Sequence, residues 1–235
     1  MLFCQCVSPS LNNLAALYFA QGEYSKAEPF YLEALDIWKS ELGDNHPSTA
    51  SSLNNLAALY RSQHRYADAE PLLREALEIR KNQFGDRHPS TASSLNNLAE
   101  IYRSQGQYVE AETLLCQALD IWKSELGDRH PDTASSLNNL ATLYCAQGRH
   151  VEAEPLLREA LDIWRSEFGD QHPDTAMSLL NLATLYHQTQ RHQTALSLIQ
   201  QAHKIYVETL GNEHPTTQTS IKWLQVIQQA FNATT

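Results

Sequence analysis

The chain has 235 residues, with 17 Lys plus Arg against 27 Asp plus Glu and a formal net charge of -10, a balance that works against holding a nucleic acid. Its four cysteines, Cys4, Cys6, Cys116 and Cys145, share no spacing, which argues against a disulfide framework and for a reducing compartment. No stretch approaches the roughly 18 uninterrupted apolar residues of a membrane span, and MLFCQCVSPS lacks the basic and apolar regions of a signal peptide, so the expectation is a cytoplasmic protein without membrane contact.

One pattern recurs every 42 residues. His-Pro stands at His46-Pro47, His88-Pro89, His130-Pro131, His172-Pro173 and His214-Pro215, with a Gly three residues before each His. Between them runs SLNNLA-x-(L/I)-Y, from Ser52 to Tyr60, Ser94 to Tyr102 and Ser136 to Tyr144, and LLNLATLY from Leu179 to Tyr186. Self-similarity at such a period means a stacked array in which each unit touches mainly its neighbours.

In chain order, the first helix is predicted to begin near Ser8-Pro9. Leu11 aligns with Leu53 there, but Cys4 stands where His46 would, and the linker Gly and Pro are missing. The first unit covers residues 8–43. The second, 47–85, shows the pattern in full. Pro47 suits a first helical turn, where its missing N–H is not needed. Leu53, Leu56, Ala57 and Tyr60 follow at i, i+3, i+4 and i+7, one face of an amphipathic helix. Ser62-Gln63-His64-Arg65 interrupts it, and the matching turns carry Gly22, Gly106 and Gly148. A second stripe, Tyr66, Ala69, Leu73, Ala76 and Leu77, ends at Phe84-Gly85, where a left-handed C-cap is expected. Each unit is thus an antiparallel pair, helix A and helix B, and three more follow at 89–127, 131–169 and 173–211. A last helix, 216–231, carries Gln225 and Gln228 where other A helices carry Ala and Tyr, the polar face of a terminal solvating helix.

Small residues let the paired helices approach: Ala15, Ala57, Ala99, Ala141 and Ala183 on A, and Ala27, Ala69, Ala111, Ala153 and Ala195 on B. This arrangement resembles the tetratricopeptide repeat. The LNNLA-x-LY helix, the AEPLL-x-x-AL helix and the LG-x-x-HP linker look like its kinesin-light-chain subtype, whose freestanding arrays are common in bacteria. The resemblance covers nearly the whole chain. It implies an all-α fold, a right-handed α-solenoid of five helix pairs plus a capping helix in a single array over residues 1–235. Nothing resembles the heptad coiled coil that joins true light chains to a motor.

The resemblance also puts the A helices along a concave groove. On a helical wheel Ser51, Asn54, Asn55, Ala58, Arg61 and Ser62 lie opposite the apolar stripe, and so would line it. Two asparagine ladders result: Asn12, Asn54, Asn96, Asn138, and Asn13, Asn55, Asn97, Asn139, Asn181. An Asn amide both donates and accepts, so a row of them suits the backbone of an extended peptide. Equally, the ladders could tie adjacent A helices together. Neighbouring slots differ between copies: Ala16, Ala58, Glu100, Thr142 and Thr184 in one, Phe19, Arg61, Arg103, Cys145 and His187 in another. Arg61 and Arg103 could accept the acidic side chains of the peptides that kinesin light chains bind. The acids of helix B, among them Glu28, Asp68, Glu70, Glu75, Glu152, Glu154 and Glu159, are read as a solvated convex face.

The expected function is a protein–protein interaction scaffold taking a peptide or partner segment in the groove. The alternative is a structural, self-associating spacer or a fragment of a larger multi-repeat protein. The flank of the first helix leaves room for a homodimer through the N-terminal edge. No cofactor, metal or catalytic site is expected. The linker histidines, one per layer roughly 8–10 Å apart, cannot converge on a zinc ion that needs about 2.0–2.1 Å from each nitrogen, and are read as packing or capping residues. Cys4-x-Cys6 is a lone pair of little weight. Trp38, Trp122 and Trp164 share a slot with Arg80 and Tyr206, and the arginine suggests that it is not fully buried. Pro29, Pro71 and Pro155 are expected to curve helix B. Phosphate-loop, G-x-S-x-G and H-E-x-x-H signatures are all missing.

Overall fold

The computed structural model describes the backbone of residues 4–234 and the side chains of 8–233. The Cys4 and Cys6 side chains lie outside that range. Eleven helices are found among the described residues: α1 (Cys4–Ala20), α2 (Tyr24–Leu42), α3 (Pro47–Ser62), α4 (Tyr66–Phe84), α5 (Pro89–Ser104), α6 (Tyr108–Leu126), α7 (Pro131–Ala146), α8 (His150–Phe168), α9 (Pro173–Gln188), α10 (His192–Leu210) and α11 (Pro215–Thr234). By their contacts they fall into two compact units, Met1–Ile121 and Trp122–Thr235.

In the first unit α1 packs on α2 and α3 on α4, while α2 meets α3 and α4 meets α5. In the second, α7 pairs with α8 and α9 with α10, and α11 lies on α10 with a smaller contact to α9. The A helices bury more than their amphipathic stripe. Leu59, Ile101, Leu143 and Leu185 are fully enclosed, as are Ser52, Ser94, Ser136 and Ser178. The small alanines of both helices reach zero exposure, and full burial of a leucine contributes about 1.5–3 kcal/mol. On α1 the leucines aligned with Leu56 and Leu59 are left open. Leu14 is 36% and Leu17 54% exposed, against 2% and 0% for those copies.

The linker histidines act as caps. Nδ1 of His46, His88, His130, His172 and His214 accepts the backbone N–H two residues on, at 3.0–3.2 Å. Proline then occupies the first helical position, where no N–H is needed. The Thr two residues beyond each of the first four prolines donates its hydroxyl to the linker glycine's carbonyl at 2.8–2.9 Å, which locks linker to helix.

Three local expectations are corrected. The first helix opens at Cys4, with Pro9 inside it rather than at its start, because a proline early in a helix removes only one backbone bond. Gly85 has a positive φ of 92°, yet its ψ of 168° is not that of a left-handed cap. It lies in extended positive-φ space open essentially only to glycine. The tryptophan slot is closed in three copies, where Trp122 and Trp164 are 5% exposed and Tyr206 2%, while Trp38 and Arg80 are half-buried. Arg80 fits there because its guanidinium donates to the Ser90 carbonyl at 3.1 Å and to Ser94 Oγ at 3.0 Å, satisfying a charge that burial would otherwise penalise. The helices run through Pro29, Pro71 and Pro155 without a break and match the length of the proline-free α6 and α10.

Candidate functional site

In the first unit the variable slots of α3 and α5 come together. Asn54 donates its amide to the Ala50 carbonyl one turn back at 2.8 Å, while its oxygen accepts from Asn97 Nδ2 at 3.1 Å. The ladder is thus a diagonal tie between neighbouring A helices. It consumes one donor of Asn97 and leaves the Asn97 carbonyl without an intramolecular partner. Asn55 is exposed and Asn96 half-buried. One turn on, Glu100 gathers two arginines. Arg103 grips it with Nη2 at 2.8 Å and Nε at 3.3 Å, and the more exposed Arg61 approaches to 3.8 Å. Two cations on one carboxylate leave a surplus positive charge. A cavity of about 50 Å³ lies among Asn54, Arg61 and Asn97, floored by Ala57, Leu73 and Ile101.

The second unit presents a different A-helix face. Asn138, predicted to line a groove, is only 3% exposed. Its Nδ2 donates to Ser178 Oγ at 3.1 Å, and Asn181 reaches its oxygen at 3.5 Å. The amide turned inward because α9 supplies a buried hydroxyl partner. Asn139 is half-buried. Thr142 and Thr184 spend their hydroxyls on carbonyls one turn back, so they carry little beyond their methyls. His187 lies against His192, ring centroids 5.2 Å apart, and edge-on to Trp223 at 6.3 Å. Burial, then the charge of His192, pushes its imidazole below the ordinary histidine range. No group of three or more metal-ligating side chains forms among the described residues.

A model of the tetratricopeptide repeat matches residues 7–82, 54–124, 90–162 and 132–208. The chain belongs to the tetratricopeptide-repeat family. Its repeats share the α-solenoid architecture and kinesin-light-chain character of the solved structures they resemble. A putative kinesin light chain from Podosopora anserina, with nearly identical repeats, is 30% identical with a TM-score of 0.67, covering 86% of this chain and 95% of that one. The protein BtubC (BKLC) from P. vanneervenii is 28% identical with a TM-score of 0.70, covering 86% of this chain and 80% of that one. A signal-transduction ATPase from Pyrococcus horikoshii with a tetratricopeptide sensor, at 16% identity and a TM-score of 0.69, shares the fold alone. No curated protein matches the chain. Tetratricopeptide repeats mediate protein–protein interaction and are in general not enzymes.

Sequence reasoning missed how the repeats are clasped. Arg65 lies over the Tyr60 ring at 4.0 Å and reaches back to Glu28 at 3.0 Å. Arg191 does the same with Tyr186 at 4.0 Å and Glu154 at 2.7 Å. Lys39 pairs with Glu75 and Lys123 with Glu159 at 2.8 and 3.1 Å. The acids of helix B are therefore not merely a solvated face: Glu28, Glu75, Glu154 and Glu159 hold neighbouring B helices together. The signal was in the sequence, as an Arg five residues after the helix A tyrosine and a Glu 37 residues before that Arg. Glu154 also accepts from the Tyr186 hydroxyl and from Arg158, both at 2.9 Å. Hydrogen bonds, that from Arg191 foremost, hold its carboxyl down at about 2. No helix among the described residues is long and apolar enough to cross a membrane.

Proposed function

We propose that this tetratricopeptide chain is a scaffold whose A helices take an extended peptide or partner segment along their exposed face. The observation that carries the reading is the group formed by Asn54, Arg61, Asn97, Glu100 and Arg103 in the first unit. It combines an unspent amide carbonyl, a surplus cation and a small cavity, on a framework that hardly varies between copies while these slots do. The carbonyl of Asn97 can accept a partner N–H, and Arg61, whose ion pair is long and half-exposed, can exchange Glu100 for a partner carboxylate at little cost. Other family members that clamp a C-terminal carboxylate use lysines at groove positions that here read Ser51, Asn54 and Ala58, which disfavours that ligand class.

Asn97→Ala combined with Arg61→Ala is expected to abolish capture of partner proteins from the native lysate while leaving the circular dichroism spectrum unchanged. Capture at the wild-type level would sink the reading. The uncovered Leu14 and Leu17 favour a second reading, self-association of two copies through α1. It requires concentration-dependent sedimentation that Leu17→Lys removes.

A further inference from the structure

The end of the second unit gathers histidines around one helix. α11 lies on α10 and α9, and three imidazoles meet it. His187 of α9 faces Trp223 edge-on. His203 of α10 has its Nδ1 2.8 Å from Ser220 Oγ. His214 caps the first turn, its Nδ1 accepting the Thr216 N–H at 3.2 Å. These contacts respond to a proton differently. The Ser220 hydroxyl is already donated to the Thr217 carbonyl at 2.7 Å, so its oxygen accepts from His203, and a protonated ring still donates there. His214 must keep a lone pair on Nδ1, which protonation removes. His187 is more constrained. Its Nδ1 and that of His192 are both enclosed without any hydrogen-bond partner, so a proton added to either would be a buried, unpaired donor carrying charge.

We propose that α11 is seated on neutral imidazole and that acid releases it before the rest of the second unit opens. This goes beyond the peptide-binding reading and holds whether or not a peptide is bound. The charged neighbour acting on His187 is His192 of α10, also a base, while α11 offers it the uncharged indole of Trp223. No carboxylate is among the groups that act on it, so nothing there compensates a proton. Burial and His192 hold the His187 imidazole below its ordinary 6.5. Undocking α11 relieves the part of that burial which Trp223 supplies, so the uncovered His187 binds a proton more tightly. The seating is therefore complete above that ordinary value and is lost as pH falls from it through the lowered one. Release would expose the surfaces of α9 and α10 that α11 covers and free its own apolar face around Ile227.

The test is amide hydrogen exchange on the full chain at about pH 7.5 and about pH 5, corrected for intrinsic rates. Protection of α11 relative to α9 and α10 should fall roughly three- to tenfold in acid. His187→Phe with His192→Phe, which keeps aromatic faces against Trp223, should at least halve that fall, the remainder belonging to the His214 cap. An α11 equally protected at both pH values, or an equal loss in the double variant, overturns the proposal. Should the variant fail to fold, imidazole NMR on the unaltered chain decides. His187 must titrate below the ordinary value with the Trp223 indole N–H following the same midpoint, and a His187 titrating at or above it overturns the idea.

Discussion

The A-helix faces of the two compact units are built on the same residues and differ in what those residues hold. In the first, Arg61 and Arg103 converge on Glu100 while Asn54 and Asn97 bond across the surface. In the second, the matching slots carry Thr142, Cys145, Thr184 and His187, and Asn138 turns inward to a buried serine. A ladder of identical asparagines thus serves a surface in one place and an interior in the other. The lesson is that a repeat repeats its framework. Leu59, Ile101, Leu143 and Leu185, equivalent positions of successive copies, are all fully buried. A polar slot repeats only if its neighbours one layer away repeat too.

If the framework is common and the faces are not, core substitutions should cost the same order in either unit wherever the site is covered. Leu143→Ala should destabilise by about 2–5 kcal/mol in chemical denaturation, the usual cost of a leucine cavity. Leu17→Ala, at the equivalent but uncovered position of α1, should cost less than about 1 kcal/mol. Equal losses would break the distinction between covered and open copies.

A smaller effect should separate the asparagines. Asn138→Ala leaves Ser178 Oγ buried without its donor and should cost about 1–3 kcal/mol. Asn97→Ala, at an exposed position, should leave the denaturation midpoint nearly unmoved. A midpoint equally sensitive to both would mean that the two ties do one job.

The smallest effect concerns the turns. Gln190 has a φ of 61° where the matching turns carry Gly106 at 77° and Gly148 at 73°. A side chain in that left-handed region costs about 1–2 kcal/mol, so Gln190→Gly should stabilise the chain by about 1 kcal/mol, read as a higher melting temperature. In the first unit His64, at 59°, also bonds the Tyr66 hydroxyl at 2.9 Å. His64→Gly should gain less, and a larger gain there would reverse the ranking.

Much of the fold was legible in the sequence because its signals are local. The stripe at i, i+3, i+4 and i+7, a proline that opens a helix and glycines confined to turns all act within a few residues, and every copy confirms the others. The candidate site was legible only as a set of slots. Arg61, Glu100 and Arg103 could be assigned to one face, but not that Glu100 would bind both arginines, since rotamers across a gap between helices follow no periodicity. The clasps of Arg65 and Arg191 do follow a fixed offset, but their partners lie 37 residues away, outside the reach of a helical-wheel reading.

By itself the sequence determined the helices, their pairing and the positions that vary, because hydrophobic period and turn chemistry depend on neighbours along the chain. Tertiary structure decided which polar groups face inward and which charges cancel. Asn138 is buried since α9 brings a hydroxyl to it, and the Trp122 and Trp164 rings are enclosed where the pattern suggested a wet edge. Burial and pairing depend on what lies one layer away, and that distance does not exist until the helices have stacked.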